Sequence, residues 1–292
     1  MDDTDKMLED FIRLKMDFYS KSEPLLLQSS RKNFLSRKEH KDIQNVIAVY
    51  IPTFNRVRTL MERSLPSVIG QTYKNLEIVV VDDCSSDGTS EEVLRIEDPR
   101  IRLLRVPTRN YRYPKSATNH WLVGPVHAAN FALDYISDNA DWIARIDDDE
   151  IWEPFHLEKS LGYALKEKLE FVSSSQRILY TDRTMYMAGF HARSRYYYPD
   201  MESDDIHSPV IGATSTWLYR SYLRFFKYNS DCWRKNHNKV NDIDFSVRMF
   251  EAGVLMGHTG EATLISKPRD GEVELGLAAY LKNPEKTSSF YE

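Results

Sequence analysis

The chain has 292 residues, of which 41% are hydrophobic and 28% charged, and a formal net charge of −5. That balance supports a buried core and argues against a disordered chain, and without a basic field the chain has no means of holding nucleic acid non-specifically. The cysteines are Cys84 and Cys232 alone, which disfavours a disulfide scaffold or a cysteine zinc site and makes a cytoplasmic compartment the expectation.

Residues 1–44 read as a helical extension. Leu8, Phe11, Ile12, Lys15, Phe18 and Tyr19 recur at helical spacing, and a polar, basic stretch runs from Ser29 to Lys41. A helix packed on the rest of the chain is favoured over a membrane or partner-binding role. The opening MDDTDK is too acidic for a signal or transit peptide, and no apolar run approaches the ~20 residues of a membrane span.

VIAVYI (46–51) is an apolar run ended by Pro52, which predicts a buried strand, and a helix is expected over 57–69. LEIVVV (76–81) predicts a second strand running into Asp82-Asp83. Thr89-x-x-Glu92 reads as a capping box for a helix from Ser90 to Ile96. IRLLRV (101–106) is a third strand, 107–123 a polar and aromatic loop, and 126–136 a helix. DWIARI (141–146) is a fourth strand that leads into Asp147-Asp148-Asp149-Glu150, and a helix follows Pro154 as far as Glu167.

Alternating strands and helices predict an α/β fold with a mostly parallel central sheet flanked by helices. Ligands of such sheets sit beyond the C-terminal strand ends. Three polar clusters fall there: Thr53-Phe54-Asn55, Asp82-Asp83 and Asp147 to Asp149. The second half is less regular, with strands at 171–180 and 184–192, a mobile loop at 193–209 that is the candidate lid, a helical segment at 217–226 and a helix at 241–252 ended by Gly253.

Three successive carboxylates at the end of a buried strand repel one another. A divalent cation with hard oxygen ligands, Mg²⁺ or Mn²⁺, offsets that repulsion, and residues two apart on an extended chain point the same way, so Asp147 and Asp149 can converge. A solvated acidic loop or a set of helix caps is the competing explanation. For Asp82 and Asp83 the alternatives are a nucleoside pocket and an ordinary strand-to-helix turn. For Asp242 the residues alone favour a first-turn helix carboxylate, and Asp244 with Arg248 reads as a surface helix pair.

VIAVYIPTFNR (46–56), the Gln71-Thr72-Tyr73 turn, LEIVVVDDCSSDGT (76–89), GPVHAANFAL (124–133), DWIARIDDDEIWEPFHLE (141–158) and NDIDFSVRMFEAG (241–253) occur in this order. Together they resemble the successive blocks of family 2 glycosyltransferases of the GT-A fold. The resemblance covers roughly 46–258. It implies inverting transfer of a sugar from a nucleotide-diphosphate donor, a UDP-sugar being favoured, to a hydroxyl of a glycan or glycolipid acceptor. It also implies that Pro52, Thr53, Phe54 and Asn55 line the nucleotide, with Asp83 toward the base. Asp82, Asn130, Asp147 and Asp148 complete the nucleotide-sugar set. Asp149, Asp147 and His258 are the implied holders of Mn²⁺ or Mg²⁺, and Asp242 the general base. Two departures stand out: Asn241 replaces the usual Glu of the late block, and Ala129 stands where the family often has Arg. Arg109, Arg112 and Lys115 are candidates to supply that missing cation, solvated loop charges being the simpler reading for at least two of the three.

The expected division is an N-terminal extension at 1–44, a GT-A domain at 45–260 with a donor half (45–150) and an acceptor half (151–260), and a tail at 261–292. Expected partners are the donor and the acceptor, with no nucleic acid. Residues 1–44 are the candidate segment for peripheral attachment to the inner membrane face or for homo-oligomerisation. A non-catalytic nucleotide-sugar or glycan-binding module on the same fold is the alternative.

Overall fold

A computed structural model describes residues 3–38, 44–109 and 113–282. Arg112 and the polar stretch beyond Lys282 lie outside the described residues. The chain opens with α1 (Asp3–Lys38) and β1 (Ile47–Thr53). Then α2 (Val57–Thr59) passes through a π turn at Leu60–Ser64 into α3 (Leu65–Ile69), followed by β2 (Leu76–Asp82), α4 (Thr89–Leu94) and β3 (Ile101–Arg105). Next come α5 (Ala117–Val123), α6 (Val126–Tyr135), β4 (Trp142–Arg145), β5 (Ile151–Trp152), α7 (His156–Glu167), β6 (Phe171–Leu179) and β7 (Thr184–Met187). The remainder is β8 (Phe190–His191), β9 (Val210–Ile211), β10 (Leu218–Arg220), α8 (Asn241–Glu251), β11 (Met256–Ser266) and α9 (Gly276–Lys282).

One mixed sheet runs in the order β3-β2-β1-β4-β10-β6-β11-β5, with β7 added to β6. Strands β3, β2, β1 and β4 are mutually parallel, while β10 lies antiparallel between β4 and β6. Every residue of β1 is buried, because both faces of the sheet are covered. Ala48 and Tyr50 join a core with α6, α8 and an aromatic group around Phe245; Ile47, Val49 and Ile51 face α3 and α7. Parallel register pairs Thr53 with Asp82 and Tyr50 with Arg145. The three polar clusters therefore emerge at one edge.

The structure corrects several expectations. The 107–123 loop contains α5, started by Ser116, whose side chain accepts from Asn119 N at 3.1 Å. The Thr89 capping box is absent: Asp87 Oδ1 takes both the Thr89 amide and its hydroxyl. The segment expected as a helix at 217–226 is β10 followed by a 3₁₀ turn, since pairing to β4 and β6 overrides its helical spacing. The 193–209 loop is closed at its base by β8–β9 pairing and tied internally by Asp205 N to Arg193 O, which makes it a packed Ω-type loop. Ser29 to Lys38 continues α1. The boundary expected at 260 falls inside β11, which carries the chain on to α9 against α5.

Helix α1 lies on the body through buried Leu27 and through ion pairs. Arg31 forks onto Glu170 at 2.5 Å, and Lys15 meets Asp231 at 2.6 Å. Asp244 and Arg248 are buried, not a surface pair, because Glu23 of α1 closes over Arg248. No described helix is long and apolar enough to cross a membrane.

Candidate active site

Beyond the carboxyl edge of the sheet opens a cleft of about 480 Å³, within the ~300–1,000 Å³ range of small-molecule sites. Pro52, Thr53, Phe54, Asp83, Asp147, Asp148, Asp149 and Asp242 all line it. Three of the backbones that deliver these residues are strand ends fixed by sheet register; the fourth is the first turn of α8.

Asp83 forms one end. Its backbone N–H donates to Thr53 O at 2.9 Å, and its carboxyl is buried. Asp83 Oδ1 has no hydrogen-bond partner among the described residues, while Oδ2 lies 3.5 Å from Arg109 Nε. The Arg109 guanidinium lies 3.0 Å above the Phe54 ring, a cation–π contact that fixes it in place. Burial pushes the Asp83 carboxyl up to about 6, with Arg109 opposing.

The aspartate run occupies the middle. Asp147 Oδ1 accepts from buried Arg145 at 2.8 and 3.0 Å, and the Asp147 amide donates to Ser215 Oγ at 2.9 Å. Asp148 lies 3.3 Å from Arg56, and burial pushes its carboxyl up against that arginine's pull. Asp149 Oδ2 accepts from Arg56 at 2.8 Å and Arg269 at 3.2 Å. Burial opposes its ionisation, yet Arg56, Arg269 and Arg63 outweigh burial and hold the carboxyl below its ordinary value. Next to it, burial reinforced by Asp147 and Asp149 pushes Glu150 up to about 8, which keeps that side chain neutral. His120, on the opposite wall, is pushed down to about 3 by burial and by Arg109, Arg56 and Arg269.

Asp242 faces this run from α8. Its Oδ2 accepts from Thr214 Oγ1 at 2.5 Å. Tyr197 of the 193–209 loop is buried nearby; burial raises its phenol and the Asp242 charge adds to the shift.

Four residues expected at the site go elsewhere. Asn55, in the left-handed region at φ 49°, accepts from Ser86 N at 2.8 Å and so ties the β1 loop to the β2 loop. Asp82 is fully buried and accepts from Ser85 N and Ser90 Oγ, holding its own turn. Asn130 forms a reciprocal pair with the Tyr228 backbone at 2.8 and 2.9 Å. His258 sits on β11 with Nε2 3.0 Å from Ala188 O and Nδ1 accepting from Gly260 N. All four are polar groups whose backbone or neighbour demands are met locally.

Arg56, Arg145, Thr214, Arg269 and Tyr280 line the cleft without having been singled out. Arg145 offered a signal: a charge inside an otherwise apolar strand. Arg56 closes the first quoted block. Nothing local marks Arg269 or Tyr280.

Among the described residues no group of three or more His, Cys, Asp and Glu side chains could hold a metal on its own. As two carboxylates, Asp147 and Asp149 would suit a hard divalent ion that shares its shell with phosphate oxygens. One oxygen of each carboxylate is taken by arginine, and Mg²⁺-type ions commonly use one or two carboxylates plus substrate phosphates.

The fold and cleft thus define an α/β protein with a polar, carboxylate-lined cleft at the carboxyl edge of its sheet. The model for Glycosyl transferase family 2 matches residues 48–226, well over half of the chain, and the chain belongs to that family. A stretch of 134 residues is 34% identical to UDP-Glc:alpha-D-GlcNAc-diphosphoundecaprenol beta-1,3-glucosyltransferase WfgD of Escherichia coli, covering 46% of this chain and 47% of WfgD. The fold matches S. aureus TarS 1–349 in complex with UDP-GlcNAc at TM-score 0.55 and 16% identity, over 84% of this chain and 66% of TarS 1–349. It also matches the mannosyltransferase PcManGT of Pyrobaculum calidifontis, in complex with GDP-Man and Mn²⁺, at TM-score 0.52 and 18% identity, over 96% and 76% of the two chains. The GT-A fold is thereby shared; the chain spans less than half the length of WfgD.

Proposed function

We propose that the protein is an inverting glycosyltransferase that moves a sugar from a nucleotide-diphosphate donor to a hydroxyl of a glycan or lipid-linked glycan. The observation that carries this reading is the convergence of Asp83, Asp147, Asp149 and Asp242 in one cleft. In this reading Asp83 serves as the base-binding carboxylate, Asp147 and Asp149 mark the diphosphate region, and Asp242 serves as the general base. The acceptor class follows the lipid-linked acceptor for which WfgD is named, and a UDP-sugar is the favoured donor because WfgD and TarS are each described with one.

Asp83 receives the base through Oδ1, and Phe54 with Thr53 walls the nucleoside. Asp149, with Asp147, would hold Mn²⁺ or Mg²⁺, which offsets charge on the departing diphosphate. Asp242 takes the proton from the acceptor hydroxyl as that oxygen attacks the anomeric carbon. A single displacement breaks the bond to phosphate on the opposite face and inverts the centre, the same geometric logic as inverting glycosidases. Thr214 orients the Asp242 carboxylate by its hydrogen bond. A membrane-linked acceptor would bring the enzyme to the inner membrane face.

Thermal unfolding against UDP, GDP, dTDP and CDP, each with Mn²⁺ or with chelator, tests donor binding. Ligand at about a hundred times its dissociation constant adds ~2.7 kcal/mol, several degrees for a chain of this size. One diphosphate should shift the midpoint with metal and lose that shift with chelator. A flat response throughout overturns the reading.

A further inference from the structure

The segment after β11 builds one wall of the cleft, and its contacts with the aspartate run are specific. Arg63 donates to the carbonyls of Lys267 and Pro268 at 3.2 and 3.1 Å and to Asp149 O at 3.3 Å, so segment and aspartate run share one anchor. Arg58 pairs with Asp270 at 2.7 Å. Glu272 grips Arg269 from behind, accepting from Nε at 2.9 Å and Nη2 at 3.1 Å, which aims Nη1 at Asp149 Oδ2. From the other side, Arg56 Nη1 reaches the same oxygen while its Nη2 donates to Tyr280 Oη at 2.8 Å. Helix α9 holds Tyr280 against His120, ring centroids 5.7 Å apart.

A single carboxylate oxygen therefore gathers two guanidinium groups at the place where a diphosphate and its cation would lie. Guanidinium forks match phosphate at least as well as carboxylate. We propose that Arg269 and Arg56 are the receivers of the donor diphosphate and are held on Asp149 until it arrives. On donor binding, Asp149 releases both guanidinium groups to the phosphate oxygens, and its carboxylate would then be free to hold the cation. This rests on the donor-binding reading above. It makes cation and diphosphate binding mutually dependent, and it gives 267–282 a part in donor recognition.

The exchange has a signature that a structural role would not produce. Calorimetry with UDP, GDP, dTDP and CDP, each with Mn²⁺ or chelator, is run on wild type, Arg269→Gln and Asp149→Asn, alongside the matching nucleosides. With Mn²⁺, Arg269→Gln should weaken the diphosphate that binds wild type by about tenfold or more, and its nucleoside by less than about threefold. In chelator, Asp149→Asn should bind that diphosphate several-fold more tightly than wild type in chelator, because both guanidinium groups are released. Asp149→Asn is the independent arm should Arg269→Gln fold poorly. Unchanged diphosphate affinity in Arg269→Gln, or no gain in metal-free Asp149→Asn, overturns the exchange while the donor reading stands. If wild type binds none of the four diphosphates, the donor reading itself fails and the exchange with it.

Discussion

Arg109 Nε approaches Asp83 Oδ2 to 3.5 Å, yet Asp83 Oδ1 is buried with no hydrogen-bond partner among the described residues. A buried, unsatisfied acceptor costs about 1–3 kcal/mol. The arrangement makes sense where a ligand N–H supplies the missing bond.

That relationship sets a pH dependence. Burial, opposed by Arg109, places the Asp83 carboxyl at about 6. The ionised form accepts a base N–H and the protonated form does so poorly, so nucleoside affinity should rise with pH through about 6. Between about pH 5 and about pH 7.5 the gain should approach tenfold, or ~1.4 kcal/mol. Measuring with the nucleoside avoids the phosphate's own titration near pH 6. Asp83→Asn should bind more weakly at neutral pH and show a flat profile. A wild-type profile equally flat would remove Asp83 from base recognition.

Asp242 and Thr214 are separable kinetically. Asp242→Asn removes the base and should lower kcat by roughly 10²–10⁴, with donor affinity by calorimetry unchanged. Thr214→Val leaves the carboxylate but frees its Oδ2 of the 2.5 Å bond, so kcat should fall by about tenfold at constant donor affinity. Equal turnover in Asp242→Asn and wild type would place the base elsewhere.

The donor edge of the fold was legible because its signals are local. Strands β1, β2 and β4 are mainly apolar runs, interrupted by Glu77 and Arg145 alone and each leading into Pro or Asp, and the three polar clusters follow from register alone. What escaped depends on partners far along the chain. Strand β10 has only three residues and exists because Leu218 pairs with Ala144 and Val172. Strand β11 is interrupted by register shifts between His258 and Leu264, which blur its alternation. Tyr280 matters through Arg56, 224 positions away. Asn55, Asp82 and Asn130 fall outside the cleft lining. Their residue types suit a ligand, but nearby backbone groups claim their side chains first.

The junction of α1 with α8 should govern stability. Arg248 is buried between Glu23 and Asp244, and its Nη2 also donates to Lys227 O. Arg248→Ala strips buried Glu23 of its ion-pair partner and leaves buried Asp244 to Lys235 alone, 2.9 Å away, and should cost about 3–5 kcal/mol in chemical denaturation. Burial, opposed by Arg248 and aided by Asp244, raises Glu23 to about 7. Between about pH 4.5 and about pH 7 the folded chain thus holds more protons than the unfolded one, so this group's contribution falls as pH rises through that window. Glu23→Gln should flatten that decline. A decline identical in wild type and Glu23→Gln would assign it to other groups.

Gly212 links packing to two cleft carboxylates, Asp147 and Asp242. A Cβ there would run into the Ser174 carbonyl and come within 2.8 Å of Thr216 Oγ1. The residues just after it carry Thr214, which holds Asp242, and Ser215, which accepts from the Asp147 amide at 2.9 Å. Gly212→Ala must push this turn aside, at a cost of about 1–3 kcal/mol, and the displacement should reach Asp147 and Asp242 together. Gly253 is the matched control. It sits at φ 91° with open space around its Cβ position, so Gly253→Ala is strained by ~1–2 kcal/mol at a remote helix end. Assayed well below both melting points, Gly212→Ala should lose about tenfold or more in kcat while Gly253→Ala keeps wild-type turnover. Equal turnover in the two variants would mean that the 213–216 turn adapts without moving either carboxylate.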